Sequence, residues 1–249
     1  MKIVLEKADS FQKSVNAISA LIDEAEFVVN ENGFALKAAD PSQISMVDYY
    51  MKREAFKEFD VKEKTKIGVD LDYLRQIMSR AGAGNQLTLE TIKDNTVLSV
   101  LFEGESRRKF EVPLLDLAST IGELPNPQIA ETQKAMVRAS ILLDGLKDAS
   151  LVSSHASIGI EGNKLAIKAS GSKGNFDLGI EKDNKHLVEL SSTEEGTSNF
   201  PIDYLQDILK GTYGDTLVSI RMKKDSPIEI SYSIGQAEIK YFLAPRIEA

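Results

Sequence analysis

Ser153-Ser154-His155-Ala156-Ser157 sets a hydroxyl beside an imidazole, the raw material of nucleophilic catalysis. Chain neighbours do not make that geometry without a third group to orient the base, so His155 is expected to be a loop residue. Asp40, Asp70 and Asp72 could in principle pair for general acid–base hydrolysis. Asp70 and Asp72 are better explained as a helix cap and a helix-start acid. The hydrolase alternative predicts activity lost on Asp40→Asn or Asp72→Asn. Gly171–Asn175 (GSKGN) holds Gly and Lys without the spacing of a phosphate loop, and Ala81–Asn85 (AGAGN) closes a helix; both are expected to be turns. The chain has no cysteine and 2 histidines, which excludes thiol nucleophiles, disulfides, Cys-based zinc sites and His-rich metal sites. No catalytic residue, metal or cofactor is therefore expected, and the chain is not expected to be an enzyme.

The elements around these residues must have another purpose. The 249 residues are 42% hydrophobic and 27% charged, enough for one large core or two smaller ones. No apolar run approaches the roughly 18 residues of a membrane span, and Met1–Ser10 lacks the apolar block of a secretory signal. A net charge of −8 argues against a simple nucleic-acid binder.

One constant offset aligns distant clusters without gaps: Lys109–Leu114 with Lys240–Pro245, Asp72–Met78 with Asp203–Leu209, and Ala35–Ala38 with Ala166–Ala169. Asn32 and Asn163, Lys93-Asp94 and Lys224-Asp225, and Gly104 and Gly235 agree at the same offset. Its persistence through separated segments points to a duplicated domain. Phe11, Val15, Ile18 and Ile22 recur at helical spacing, and Leu142, Leu146, Ala149 and Ser153 repeat it weakly. Each helix leads into strands joined at Asn30–Gly33 and Glu161–Asn163, where Asn and Gly suit tight hairpins. Second helices are expected over Leu71–Arg80, capped by Asp70, and Ile202–Lys210, with Pro201 in the first turn. Strands at Gln86–Ile92, Thr96–Glu103 and Arg107–Leu114 close the first copy. Ser192–Asn199 (STEEGTSN) has the composition of a solvated loop. The fold class is α+β, with two similar domains of antiparallel sheets and two helices each: 1–117 and 134–249, joined by a Pro- and Gly-bearing connector over 118–133.

Leu21–Ala25 (LIDEA), Asp40–Val47 (DPSQISMV), Lys147–Ser153 (KDASLVS) and Leu243–Glu248 (LAPRIE) lie in order along almost the whole chain. Together they resemble the archaeal proliferating cell nuclear antigen (PCNA) family of DNA sliding clamps. The resemblance implies a head-to-tail homotrimer closed into a ring, with strands outside and helices lining a hole that admits duplex DNA. It implies an intracellular DNA polymerase processivity factor, opened by a clamp loader, that tethers DNA polymerase, flap endonuclease and DNA ligase in replication and repair. Two alternatives stay open: a subunit of a heterotrimeric clamp, and a peptide-binding adaptor that does not enclose DNA.

The resemblance also implies roles for residues. Lys13, Lys147 and Lys210 match DNA-facing basic positions, and Arg75 and Arg80 flank two others held here by Gln76 and Ser79. Further basic positions hold Gln12, Ser19 and Asp203, which thins the lining. If roughly four phosphates are neutralised, log K falls with log salt at a slope of about −3.6. Asp144 and Asp148 would face Arg80 and Arg108 of an adjacent subunit, and Arg107–Leu115 would pair with Asn175–Glu181. Ala39, Ile44, Met46, Leu124, Pro125, Pro227, Phe242, Ala244, Pro245 and Ile247 would frame a pocket for client peptides carrying aromatic plugs.

Overall fold

The computed structural model describes residues 1–117, 124, 129 and 131–246. Pro125 and Ile247, and most of the expected connector, lie outside the described residues. Contacts divide the chain into two units. One is Met1–Pro41 with Val47–Pro125 and Ile234–Ile239; the other is Ser42–Met46 with Asn126–Ser233 and Lys240–Ala249.

The first copy runs β1 (Lys2–Leu5), α1 (Asp9–Ile18), β2 (Glu24–Asn30), β3 (Gly33–Ala39), β4 (Ser45–Lys52), β5 (Glu58–Asp60), β6 (Thr65–Asp70), α2 (Leu71–Met78), β7 (Gln86–Ile92), β8 (Val97–Glu103) and β9 (Arg107–Pro113). The second runs β10 (Gln133–Arg138), α3 (Ala139–Ser150), β11 (His155–Glu161), β12 (Lys164–Gly171), β13 (Gly174–Glu181), β14 (Leu187–Ser192), β15 (Gly196–Pro201), α4 (Ile202–Ile208), β16 (Leu217–Met222), β17 (Ile228–Ile234) and β18 (Ala237–Leu243).

The strand orders repeat. β5-β1-β7-β8-β9 in the first copy corresponds to β14-β10-β16-β17-β18 in the second, and β4-β3-β2-β6 to β13-β12-β11-β15. The sequence offset survives in individual pairings: Phe27 opposite Leu36 becomes Ile158 opposite Ile167, and Glu24 opposite Asp70 becomes His155 opposite Pro201. It also survives in hydrogen bonds that place the helices. Leu71 N donates to Asp23 O at 2.8 Å and Ile202 N to Ser154 O at 2.9 Å. Ala8 N donates to Asn85 O at 2.8 Å and Ala139 N to Thr216 O at 2.9 Å.

These elements follow from local chemistry. α2 buries Leu71, Leu74, Ile77 and Met78, and the Asp70 carboxylate accepts from Tyr73 N at 2.8 Å, the expected cap. Lys93, Asp94 and Asn95, at φ of 52°, 54° and 61°, turn β7 back into β8, a conformation that Asn and Asp tolerate best after glycine. Gly162, at φ 57°, turns β11 into β12.

The structure corrects several expectations. Ile22 and Ser153 lie beyond α1 and α3, because each helix frays through one last turn: Ile22 N reaches Ile18 O and Ser153 N reaches Ala149 O, both at 3.1 Å. α2 stops at Met78 rather than Arg80, and α4 at Ile208, after which Leu209–Gly211 tightens into a 3-10 turn. Pro201 is the residue before α4, at φ −67° and ψ 126°, rather than in its first turn. Ser192–Asn199 is no continuous loop: Ser192 ends β14 and Gly196–Asn199 belong to β15, where Ser198 is buried and its Oγ accepts from Asp225 N at 2.8 Å. His155 opens β11 instead of lying in a loop.

Candidate nucleic-acid and partner-binding surfaces

The apolar stripe of each helix turns the opposite stripe outward, and the expected cations stand there. Lys13 is half-buried on α1, and Arg75, Lys147, Arg80 and Lys210 are exposed on or just after α2, α3 and α4. Arg75, Lys147 and Lys210 each carry a carboxylate of their own helix. Arg75 Nη2 and Nε reach Asp72 Oδ1 at 3.0 and 3.2 Å, Lys147 Nζ lies 3.7 Å from Asp144, and Lys210 Nζ lies 2.6 Å from Asp207. The sequence reading missed these pairs, although the three-residue spacing was the signal that could have found them. α4 is also anchored from below: Tyr232 Oη donates to Ile208 O at 2.6 Å, and burial raises the phenol above its ordinary value.

The proposed subunit contact has a different texture. Asp144 and Asp148 are exposed on α3, one turn apart, with Asp144 beside Lys147. Arg108 is engaged within its own unit. Its Nη1 donates to Arg80 O at 2.7 Å, its Nη2 donates to Asn85 Oδ1 at 2.8 Å, and its guanidinium lies 5.7 Å from the Phe102 ring centroid. Asn85 Oδ1 also accepts from Gly82 N at 2.7 Å, so one buried amide ties the end of α2 to β9. The Arg80 side chain is exposed, which leaves it the more accessible of the two bases. β9 and β13 are each the last strand of their sheet, so each presents an edge within this chain.

The residues after β18 form a fixed shelf. Ala244 N donates to Ile44 O at 2.8 Å, and Arg246 N to Asn199 O at 2.7 Å. Beside that shelf Ile44 is 37% exposed while Met46 and Phe242 are buried, so Ile44 is the apolar side chain offered to solvent. Ala244 and Pro245 are half-buried and Pro227 is exposed. Leu124 and Ala39 are half-buried.

The residues suited to catalysis do not assemble. Asp70 caps α2, Asp72 pairs with Arg75, and Asp40 is buried. Among the described residues no three His, Asp or Glu side chains are grouped to hold a metal ion. Ser154 Oγ and His155 Nδ1 lie 3.0 Å apart on the surface, and among the described residues no carboxylate hydrogen-bonds the ring. Gly171–Asn175 spans the β12–β13 hairpin: residues 172–173 make the turn, while Gly171 ends β12 and Gly174 and Asn175 begin β13. No helix among the described residues is long and apolar enough to cross a membrane.

A duplicated antiparallel α+β chain, with lysines and arginines set among aspartates on the outward stripes of its helices and a sheet-edge strand in each copy, has the architecture of the two-domain DNA clamps. Residues 1–120 match the family model for the proliferating cell nuclear antigen N-terminal domain, and residues 144–247 that for its C-terminal domain. The DNA polymerase sliding clamp of Methanococcus maripaludis is 34% identical over 243 residues, spanning 96% of each chain. That of Pyrococcus furiosus is 32% identical over 248 residues, spanning 99% of this chain and 98% of the relative. The crystal structure of PCNA from Thermococcus kodakaraensis superimposes with a TM-score of 0.93 at 28% identity, covering 98% of this chain and 99% of that one. A. fulgidus PCNA, solved with the C-terminal region of FEN-1 bound, shares the fold with a TM-score of 0.90 at 24% identity, covering 100% of this chain and 99% of that one. The chain belongs to the proliferating cell nuclear antigen family.

Proposed function

We propose that the protein is a DNA polymerase processivity factor: a homotrimeric sliding clamp that encircles duplex DNA without regard to sequence and tethers replication and repair enzymes. The observation that carries this reading is the duplication itself, with β9 of one copy and β13 of the other standing at sheet edges. Edges that pair head to tail at a fixed rotation close into a ring. The relatives named sliding clamps, alike over nearly the full chain, support the same function. The clamp domains are 1–117 and 134–249, with 118–133 connecting them.

In this reading Lys13, Arg75, Lys147 and Lys210 face the phosphates, and Arg80 is divided between them and the subunit contact, mainly the latter. Contacts to phosphate carry no base information, so sliding is indifferent to sequence. Asp144 and Asp148 meet Arg80 and Arg108 of the neighbouring subunit, and Arg108 also ties its own β9 to the end of α2. Each exposed ion pair gives only about 0.2–1 kcal/mol, so strand pairing supplies most of the closure. Ile44, Met46, Phe242, Ala244 and Pro245, with Ala39, Leu124, Pro125, Pro227 and Ile247, bind a short client peptide of DNA polymerase, flap endonuclease or DNA ligase. The clamp performs no chemistry of its own, needs no cofactor, depends on a separate ATP-driven loader to open, and works inside the cell.

The test is topological. Pure protein should sediment as a trimer, stay on nicked circular DNA after loading, and leave when the circle is cut. A trimer that leaves circle and linear DNA equally fast would sink the reading, as would a monomer at every concentration. A monomer that still binds client peptides would instead be the adaptor.

A further inference from the structure

Three of the four α-helices among the described residues repeat one arrangement, an aspartate three residues before a cation: Asp72 with Arg75, Asp144 with Lys147, Asp207 with Lys210. The pairs on α2 and α4 are the closest. Both Nε and Nη2 of Arg75 converge on a single oxygen of Asp72, and Lys210 lies 2.6 Å from Asp207, whose side chain is only 29% exposed. The two pairs do not occupy equivalent positions in the duplication. Asp207 and Lys210 correspond to Gln76 and Ser79 of the first copy, and Asp72 and Arg75 to Asp203 and Gln206 of the second. The arrangement is thus not a leftover of the repeat; each helix carries its own.

We propose that Asp72 and Asp207 are built-in counter-ions that keep Arg75 and Lys210 from binding phosphate fully, so that the duplex is held loosely enough to slide. The inference rests on the DNA-encircling reading above. A cation that stays paired with its own carboxylate displaces no counterion from DNA and adds nothing to the salt dependence of binding. A phosphate that takes the cation leaves a bare carboxylate beside another anion, in a chain already at −8. The helices therefore neutralise fewer phosphates than their cations suggest, and the ring retains DNA by its topology. The acid precedes the base in each pair, the order that also suits the helix dipole, so the rival explanation is simple helix support. Asp144 is left out because it also serves the proposed subunit contact.

The two explanations separate in the salt dependence of binding to a short linear duplex, measured as log K against log salt for the intact trimer. Asp72→Asn and Asp207→Asn should each steepen the slope, by up to about 0.9 for every cation recruited to a phosphate. Arg75→Gln and Lys210→Gln should each make the slope shallower by well under ~0.9, since their carboxylates already withhold most of each cation from phosphate. Helix support predicts the opposite: slopes unmoved by the Asn variants and shallower by about 0.9 per lost contact in the Gln variants. Either result overturns the proposal, as does tighter binding at one salt concentration with no change of slope, which reports only the general field. Far-ultraviolet circular dichroism and sedimentation confirm that each variant keeps its helices and its trimer. If the unaltered protein is not retained on nicked circles, the encircling reading has failed; if it is retained and the slopes do not move, only this inference has.

Discussion

Phe11, Phe27 and Phe34 meet ring to ring in the first unit, with centroids 4.7 to 6.4 Å apart, and Phe56 extends the cluster. Their counterparts in the second unit are Leu142, Ile158 and Leu165, all aliphatic and all buried. The strands that carry them pair in the same register. The backbone pairing has thus outlasted the side chains that fill it. Register follows the alternation of apolar and polar residues and the turn at each hairpin, and a one-residue slip would turn every core residue to solvent. The core itself requires only apolar volume that fits, so it can be rewritten while the register stands.

The largest effect that could break this comparison is in the core. Phe34→Ala removes the ring shared by three others and should cost about 3–5 kcal/mol, against about 2–5 for Leu165→Ala. The sharper expectation is locality. Amide exchange should quicken in β2 and β3 for the first and in β11 and β12 for the second; equal quickening in both units for either variant would show that they do not fold separately.

A middle-sized effect concerns the helix starts. Asp70 and Pro201 are equivalent and have nearly the same backbone, φ −71° and ψ 112° against φ −67° and ψ 126°, yet only Asp70 caps its helix. Asp70→Ala should lower stability by about 0.5–2 kcal/mol. Pro201→Ala forfeits no hydrogen bond and should cost about 0.4–1 kcal/mol, through a looser unfolded chain. Pro201→Asp transplants the first unit's cap and should be more stable than Pro201→Ala in thermal unfolding; a lower midpoint would mean the two starts differ in more than the side chain.

The smallest effect lies on β9. Lys93 and Lys109 sit 2.7 and 3.0 Å from the Glu111 carboxylate and lower its pKa, first through their hydrogen bonds and then through their charge. The second unit has Phe242 at the equivalent place. A lowered carboxylate contributes stability above its unfolded value of about 4.3, and that contribution fades as pH falls through the folded value. Glu111→Gln should therefore remove a slight acid-side loss of stability, visible at low salt and absent at high salt, in urea titrations below neutral pH. An unchanged acid limb at low salt would mean that the lysines hold the carboxylate no better than water does.

Much of this was legible in the sequence where the signal is local. The Asp70 cap, the Asn-Gly and Gly-Asn hairpins and the apolar faces of α2 and α4 needed only a few neighbouring residues. The single offset that carries Lys109 onto Lys240 and Asp72 onto Asp203 exposed the duplication before any strand was paired. Helix ends were harder, because Ile22 and Ser153 keep the apolar period for a turn after the helix has frayed. Gly196–Asn199 misled by composition, since Ser198, one of the polar residues that suggested a loop, is buried and satisfied there by Asp225 N at 2.8 Å. The engagement of Arg108 by Asn85 and Arg80 was beyond reach, because it joins residues 23 and 28 apart in sequence through a sheet edge whose neighbour periodicity does not name.

The two hydrogen bonds that pin Ala244 to Ile44 and Arg246 to Asn199 bear on how a client would be captured. One wall of the proposed pocket is already still when a guest arrives, so its loss of chain freedom was settled when the protein folded. The remaining ordering belongs to the guest. Stiffening a peptide in its docked shape should therefore tighten its grip, while stiffening the shelf further should change little.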